Sequence, residues 1–247
     1  MNFATRTCLR PILASNTRAS SLFTLQHLKP IFSNTRLSST MATPTPQRRF
    51  KNPSLFICDI QTAFSKTIYS YPLLLSTVSK LIKFCSLPSL QLPIYITTQS
   101  RAKLGDTHPS LLSIIPPHLI KANVDKTKFS MALPPILEVL PPKSEICLVG
   151  IESHICVTQT ALDLVREGHK VYVMADGVSS SNKEEVGIAL ERLRREGVVV
   201  TSSESWMYEL VGDAEGGEFK EVIGLVKESM GDTRRVMEGM AGVGSKI

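Results

Sequence analysis

The chain has 247 residues, 43% of them hydrophobic, which suffices for one sizeable buried core, and no uninterrupted apolar run reaches the eighteen or so residues of a membrane-crossing helix. Five cysteines, odd in number and without CxxC spacing, argue against a disulfide framework or a structural zinc site. The formal charge of +6 is concentrated at one end: no Asp or Glu precedes Asp59, and leaving out residues 1–40 removes five positive charges and leaves +1, too little for a phosphate-binding footprint, so no nucleic-acid partner is expected.

Residues 1–40 are rich in Arg and Ser, free of acid and sprinkled with Leu, Ile and Phe. That is the composition of a mitochondrial presequence, with Arg36-Leu37-Ser38-Ser39 as a processing region, and a matrix location follows. The plainer reading is a basic tail. A product started at Met41 would lack the segment and stay in the cytosol. Residues 41–53, with Pro44, Pro46 and Pro53, read as a linker.

Strand and helix signals then alternate. The apolar run 55–58 ends at Asp59 and suits a buried strand. Pro72 opens a helix with Leu74, Val78, Leu81, Ile82 and Cys85 at helical spacing. Residues 93–97 form the second strand. Residues 104–143 are proline-rich and irregular, with a short strand near 119–121 and a short helix around 136–140. A strand at 146–151 leads into a helix from 153 to 167 that stops at Gly168. A strand at 171–174 precedes a helix capped by Ser181 or Asn182 and carrying Val186, Leu190 and Leu193. After Gly197 come a strand at 198–201 and helices at 206–211 and 219–227. The glycine-bearing stretch 229–247 reads as a flexible tail.

This alternation predicts an α/β fold: a doubly wound, mainly parallel sheet with helices on both faces, spanning residues 54–228. Such sheets bind ligands beyond the carboxyl ends of their strands, where the first strand neighbours the first strand of the second half. Here those strands end at Asp59 and Ile151.

Cys156 falls in the first turns after the second of these strands, where the helix dipole favours a thiolate, the species that attacks carbonyl carbons. By itself a cysteine there is more often a small buried hydrophobe. Cys58, Cys85 and Cys147 lie within apolar runs and read as core. Asp59 ends an otherwise apolar strand, and a buried carboxylate needs a partner or a purpose. A turn cap is the plain alternative, but with Cys156 on the neighbouring exit a base and nucleophile pair is the better reading.

Asp59-Ile60-Gln61, then Lys126-Thr127-Lys128-Phe129-Ser130, then Gly150-Ile151-Glu152-Ser153-His154-Ile155-Cys156-Val157 resemble, in order, the three motif blocks of the isochorismatase-like cysteine hydrolases, within a branch that includes mitochondrial members. The resemblance implies that family's Rossmann-like fold and a catalytic triad of Asp59, Lys126 and Cys156. Lys126 could not be picked out from spacing alone, and Lys128 is its rival. The resemblance further implies a cis peptide between Ile151 and Glu152, an oxyanion hole from the backbone N–H groups of Glu152 and Cys156, and a substrate pocket with Gln61, Gln99 and Phe129. A small-molecule substrate and a homo-oligomer also follow from it.

The chain departs from the metal-dependent nicotinamidases of the superfamily. Thr97-Thr98-Gln99-Ser100-Arg101 stands where those carry Asp-x-His, so no metal and no cofactor are expected. Glu152 and His154 occupy positions that many active members give to other residues. There is no G-x-G-x-x-G after the first strand, no P-loop and no G-x-S-x-G elbow. Two functions remain: a metal-independent cysteine hydrolase for a small amide, ester or vinyl ether, and a catalytically silent protein of the same fold used for binding or assembly.

Overall fold

A computed structural model describes residues 49–240; the expected presequence at 1–40 and residues 41–48 and 241–247 lie outside the described residues. Six parallel strands form one sheet: β1 (Pro53–Cys58), β2 (Ile94–Gln99), β3 (Ile120–Lys126), β4 (Glu145–Ile151), β5 (Lys170–Ser179) and β6 (Val199–Thr201). Their order is β3-β2-β1-β4-β5-β6. The chain builds outward from β1 in one direction and then from β4 in the other. The point of reversal lies between β1 and β4, with Cys58 beside Gly150.

The helices are α1 (Tyr71–Cys85), α2 (Arg101–Leu104), α3 (Pro109–Leu112), α4 (Pro134–Leu137), α5 (Thr158–Arg166), α6 (Lys183–Arg195), α7 (Ser203–Val211) and α8 (Phe219–Gly239). They cover both faces. Side chains of β1 alternate: Leu55 and Ile57 pack with α1, α7 and α8, whereas Phe56 and Cys58 pack with α4, α5 and α6. A strand buried on both sides must be apolar at every position, which is why Leu55 to Cys58 reads as an unbroken run. Each such aliphatic or aromatic side chain contributes roughly 1.5–3 kcal/mol relative to exposure. No described helix is long and apolar enough to cross a membrane.

Three expectations need correction. The linker does not extend to 53, because Pro53 already belongs to β1 and Phe50 is buried against Tyr172 and Trp206, with ring centroids 5.0 and 5.9 Å away. Residues 229–239 are helical rather than a flexible tail. There Val236 is buried in the core, Thr233 accepts a hydrogen bond from Lys80 Nζ at 3.1 Å, and the Gly239 carbonyl accepts one from the Tyr69 hydroxyl at 2.8 Å. Packing on α1 outweighs the propensity cost of Gly231, about 1 kcal/mol. Finally, the strand expected at 119–121 is the longer β3, reaching Lys126, so Lys126 lies on the sheet and not in a loop.

Candidate active site

Asp59 leaves β1 in the left-handed region (φ 52°), which aspartate tolerates better than most residues. It is 1% exposed, and both carboxylate oxygens are engaged. Thr97 Oγ1 donates to Oδ1 at 2.8 Å; Lys126 Nζ donates to Oδ2 at 2.6 Å, and the Cys58 thiol approaches the same oxygen at 3.6 Å. These partners offset the cost of burying a charge, several kcal/mol if it were left alone.

Lys126 arrives as the last residue of β3, directly beside Gln99 on β2. Its ammonium has three protons and three acceptors: Asp59 Oδ2 at 2.6 Å, Gln99 Oε1 at 2.8 Å and the Lys128 carbonyl at 3.1 Å. Gln99 is held in turn by its own Nε2, which donates to the Thr127 carbonyl at 2.9 Å.

Cys156 is brought in by β4. Gly150 adopts φ +124°, and a Cβ there would lie 2.1 Å from the Cys58 carbonyl oxygen, so only glycine lets β4 run this close to β1. The Ile151–Glu152 peptide is cis. One π-type turn, Ser153–Val157, follows, with Val157 N–H donating to the Glu152 carbonyl at 3.2 Å and the Thr158 hydroxyl to the Ser153 carbonyl at 2.6 Å. This turn carries the Cys156 side chain toward the strand ends. A cavity of ≈ 100 Å³ opens there, lined by Asp59, Phe64, Gln99, Phe129, Ile151, Glu152, Ile155 and Cys156.

The isochorismatase domain model matches residues 53–205. The chain belongs to the isochorismatase family. Isochorismatase domain-containing protein 2 of Xenopus laevis is 36% identical over 182 residues, covering 72% of this chain and 85% of that protein. A secreted isochorismatase effector, Isc1, of Phytophthora sojae is 36% identical over 180 residues, covering 71% and 85%. Among solved structures, the MAR1 ribonuclease of Caenorhabditis elegans superposes with a TM-score of 0.67 at 35% identity, covering 71% of this chain and 90% of that one.

Within this isochorismatase domain, Asp59, Cys156, Ile151, Glu152, Gln99 and Phe129 line the cavity, while Lys126 sits behind Asp59 at 4% exposure. Phe129 is half exposed at 49%, whereas its neighbour Lys128 turns only its backbone carbonyl toward Lys126. Gln61 is different. It is fully buried and does not line the cavity; its amide donates to the Gly105 and Gln99 carbonyls at 2.7 and 3.2 Å and accepts from Gln99 N–H at 2.7 Å. Gln61 therefore ties the end of β2 to the following loop instead of facing a ligand.

Four contributors were missed from sequence. Thr97 braces Asp59 because the register of β2 on β1 pairs it with Cys58, and that register is set by the tertiary structure. Phe64 and Ile155 line the cavity from segments that sequence alone could not orient. Cys58, read simply as core, lies against the site. Its thiol is pushed well above the ordinary range, first by burial, then by a hydrogen bond with the Cys156 thiol and by the Asp59 carboxylate, with Lys126 partly opposing. Burial likewise raises Cys85 and Cys147. Among the described residues no group of three or more His, Cys, Asp or Glu side chains is placed to hold a metal ion.

Proposed function

We propose that this isochorismatase-family chain is a metal-independent cysteine hydrolase for a small amide, ester or vinyl ether, with Cys156 as nucleophile. One observation carries the reading: a cysteine and a carboxylate, Cys156 and Asp59, face a single small cavity, and the carboxylate is backed by a buried ammonium. For an amide or ester, Asp59 takes the Cys156 proton as Sγ adds to the carbonyl carbon. The carbonyl oxygen becomes an oxyanion that the backbone N–H groups of Glu152 and Cys156 stabilise. Collapse expels the leaving group, which takes the proton from Asp59, and leaves a thioester on Cys156. Water then adds with Asp59 again as base, releasing the acid and the thiol. Lys126 keeps its three hydrogen bonds throughout and holds Asp59 in place.

The similarity to a protein named a ribonuclease raises phosphodiester chemistry as a rival. Phosphate recognition draws on Arg and Lys, and among the described residues neither lines the cavity, which favours carbonyl substrates. A panel of small amides and esters assayed with wild type and Cys156→Ala tests the proposal, together with mass spectrometry for an acyl adduct on Cys156. Turnover that survives in Cys156→Ala overturns the nucleophile assignment. A folded wild type with neither turnover nor adduct on any panel member favours the silent binding reading.

A further inference from the structure

We propose that Glu152 makes this cavity select uncharged acyl groups and turn away carboxylates. The inference rests on the reading that Cys156 is the reactive thiol, and names the class of substrate that reaches it.

The charges around the cavity support it. Two acidic residues line the wall, Asp59 and Glu152. Asp59 is neutralised by Lys126 at 2.6 Å. Glu152 is held by neutral donors: the Ser181 backbone N–H at 2.7 Å and the Ser181 hydroxyl, both on Oε2. Among the described residues no Lys or Arg pairs with it. No Lys or Arg among the described residues lines the cavity, and the buried ammonium behind Asp59, Lys126, has all three protons committed. An incoming carboxylate would have to break one of those bonds to pair with it. The rest of the lining is largely apolar, with Phe64, Phe129, Ile151 and Ile155, and desolvating an anion against it is costly.

Size bears on the length of the acyl group instead. The volume of ≈ 100 Å³ is below the roughly 150 Å³ of an apolar cavity that takes benzene. A short acyl group fits it.

The test compares two thiol reagents of nearly equal size on the full-length folded protein: neutral iodoacetamide and anionic iodoacetate. Alkylation rates of the Cys156 peptide are read by mass spectrometry, and the amide-to-acetate ratio is referenced to the same peptide in the urea-unfolded chain. One unit charge a few ångströms away in a partly screened site changes a rate on the order of tenfold. The folded wild type is therefore expected to raise the ratio by about that factor over the unfolded chain. Glu152→Gln should bring it most of the way back, and Glu152→Asp should keep much of it. Equal ratios in folded and unfolded wild type overturn the charge selection without reference to any variant. So does a Glu152→Gln protein that folds and keeps the full preference. A different outcome separates the underlying reading: if iodoacetamide modifies another domain cysteine in the folded protein before Cys156, the nucleophile assignment fails, whatever the ratio.

Discussion

Lys126 Nζ and Asp59 Oδ2 meet at 2.6 Å with side chains 1% and 2% exposed, so each charge depends on the other for its tenancy of the interior. The two residues come from strands that do not touch. β3 reaches β1 only across β2, and Thr97 and Gln99 on that intervening strand contact Asp59 and Lys126 respectively.

Breaking this pair should cost more than the pair itself contributes. Lys126→Met leaves the Asp59 carboxylate buried and unmatched, and a loss of about 3–5 kcal/mol in urea unfolding is expected. The double variant Lys126→Met with Asp59→Asn should recover part of that loss, because no uncompensated charge remains. Purely additive losses would show that the two side chains are not coupled.

The thiols should separate sharply by reactivity. Burial keeps Cys58, Cys85 and Cys147 protonated well above neutral pH. Iodoacetamide at pH 7.5 should therefore label Cys156, at the cavity wall, and spare those three in the folded protein. Time-resolved peptide mapping checks this, and early modification of Cys58 would contradict it.

Gly150 should not accept a side chain. Alanine there would place Cβ 2.1 Å from the Cys58 carbonyl oxygen at φ +124°. We expect Gly150→Ala to destabilise the domain by more than about 2 kcal/mol and to displace Cys156 from Asp59. A variant with wild-type stability and labelling would show that β4 can shift at little cost.

His169 should make the fold sensitive to mild acid. Its Nδ1 accepts from Ser144 N–H at 3.1 Å, and partial burial lowers its pKa below the usual 6.5, with Glu167 opposing. The neutral ring is thus favoured in the folded state, and the unfolded chain binds the proton more readily. The contribution is fully present above about pH 6.5 and is lost as pH falls below that value, levelling off once the folded state also protonates. His169→Gln should flatten the pH dependence of the unfolding midpoint between pH 7.5 and 5; identical profiles would rule His169 out.

The acid-free segment 1–40 is proposed to direct import into mitochondria. A reporter fused to residues 1–45 should appear in the organelle, and a product beginning at Met41 should not. A cytosolic 1–45 fusion would leave the segment as a basic tail.

The amino-acid sequence by itself determined the fold class and the place where its strand order reverses. β1 and β4 are buried on both faces, and their apolar runs 55–58 and 146–151 announce them, whereas of β5 only its first half, 171–174, was legible and Asp176 and Gly177 hid the rest. Two strands of that kind, ending at Asp59 and Ile151, put a carboxylate and a cysteine at the same carboxyl end of the sheet by topology alone.

What lay outside this reasoning depends on contacts between distant segments. β3 is an edge strand in which Lys121, Asn123 and Asp125 are exposed; its polar alternation resembles a loop, and only pairing with β2 makes Lys126 its buried end. Gln61 carries the same amide as Gln99, yet three backbone bonds consume it while Gln99 faces the cavity. The glycines of 229–239 argue for mobility until Val236 packs into the core shared with α1 and Gly239 lies against Leu73. Periodicity records how much of a segment is buried, and it carries no information about which partner does the burying. The choice between a solvated lysine and the buried ammonium beside Asp59 was therefore made by tertiary structure, since only there does a carboxylate 67 positions away offset the cost of desolvating it.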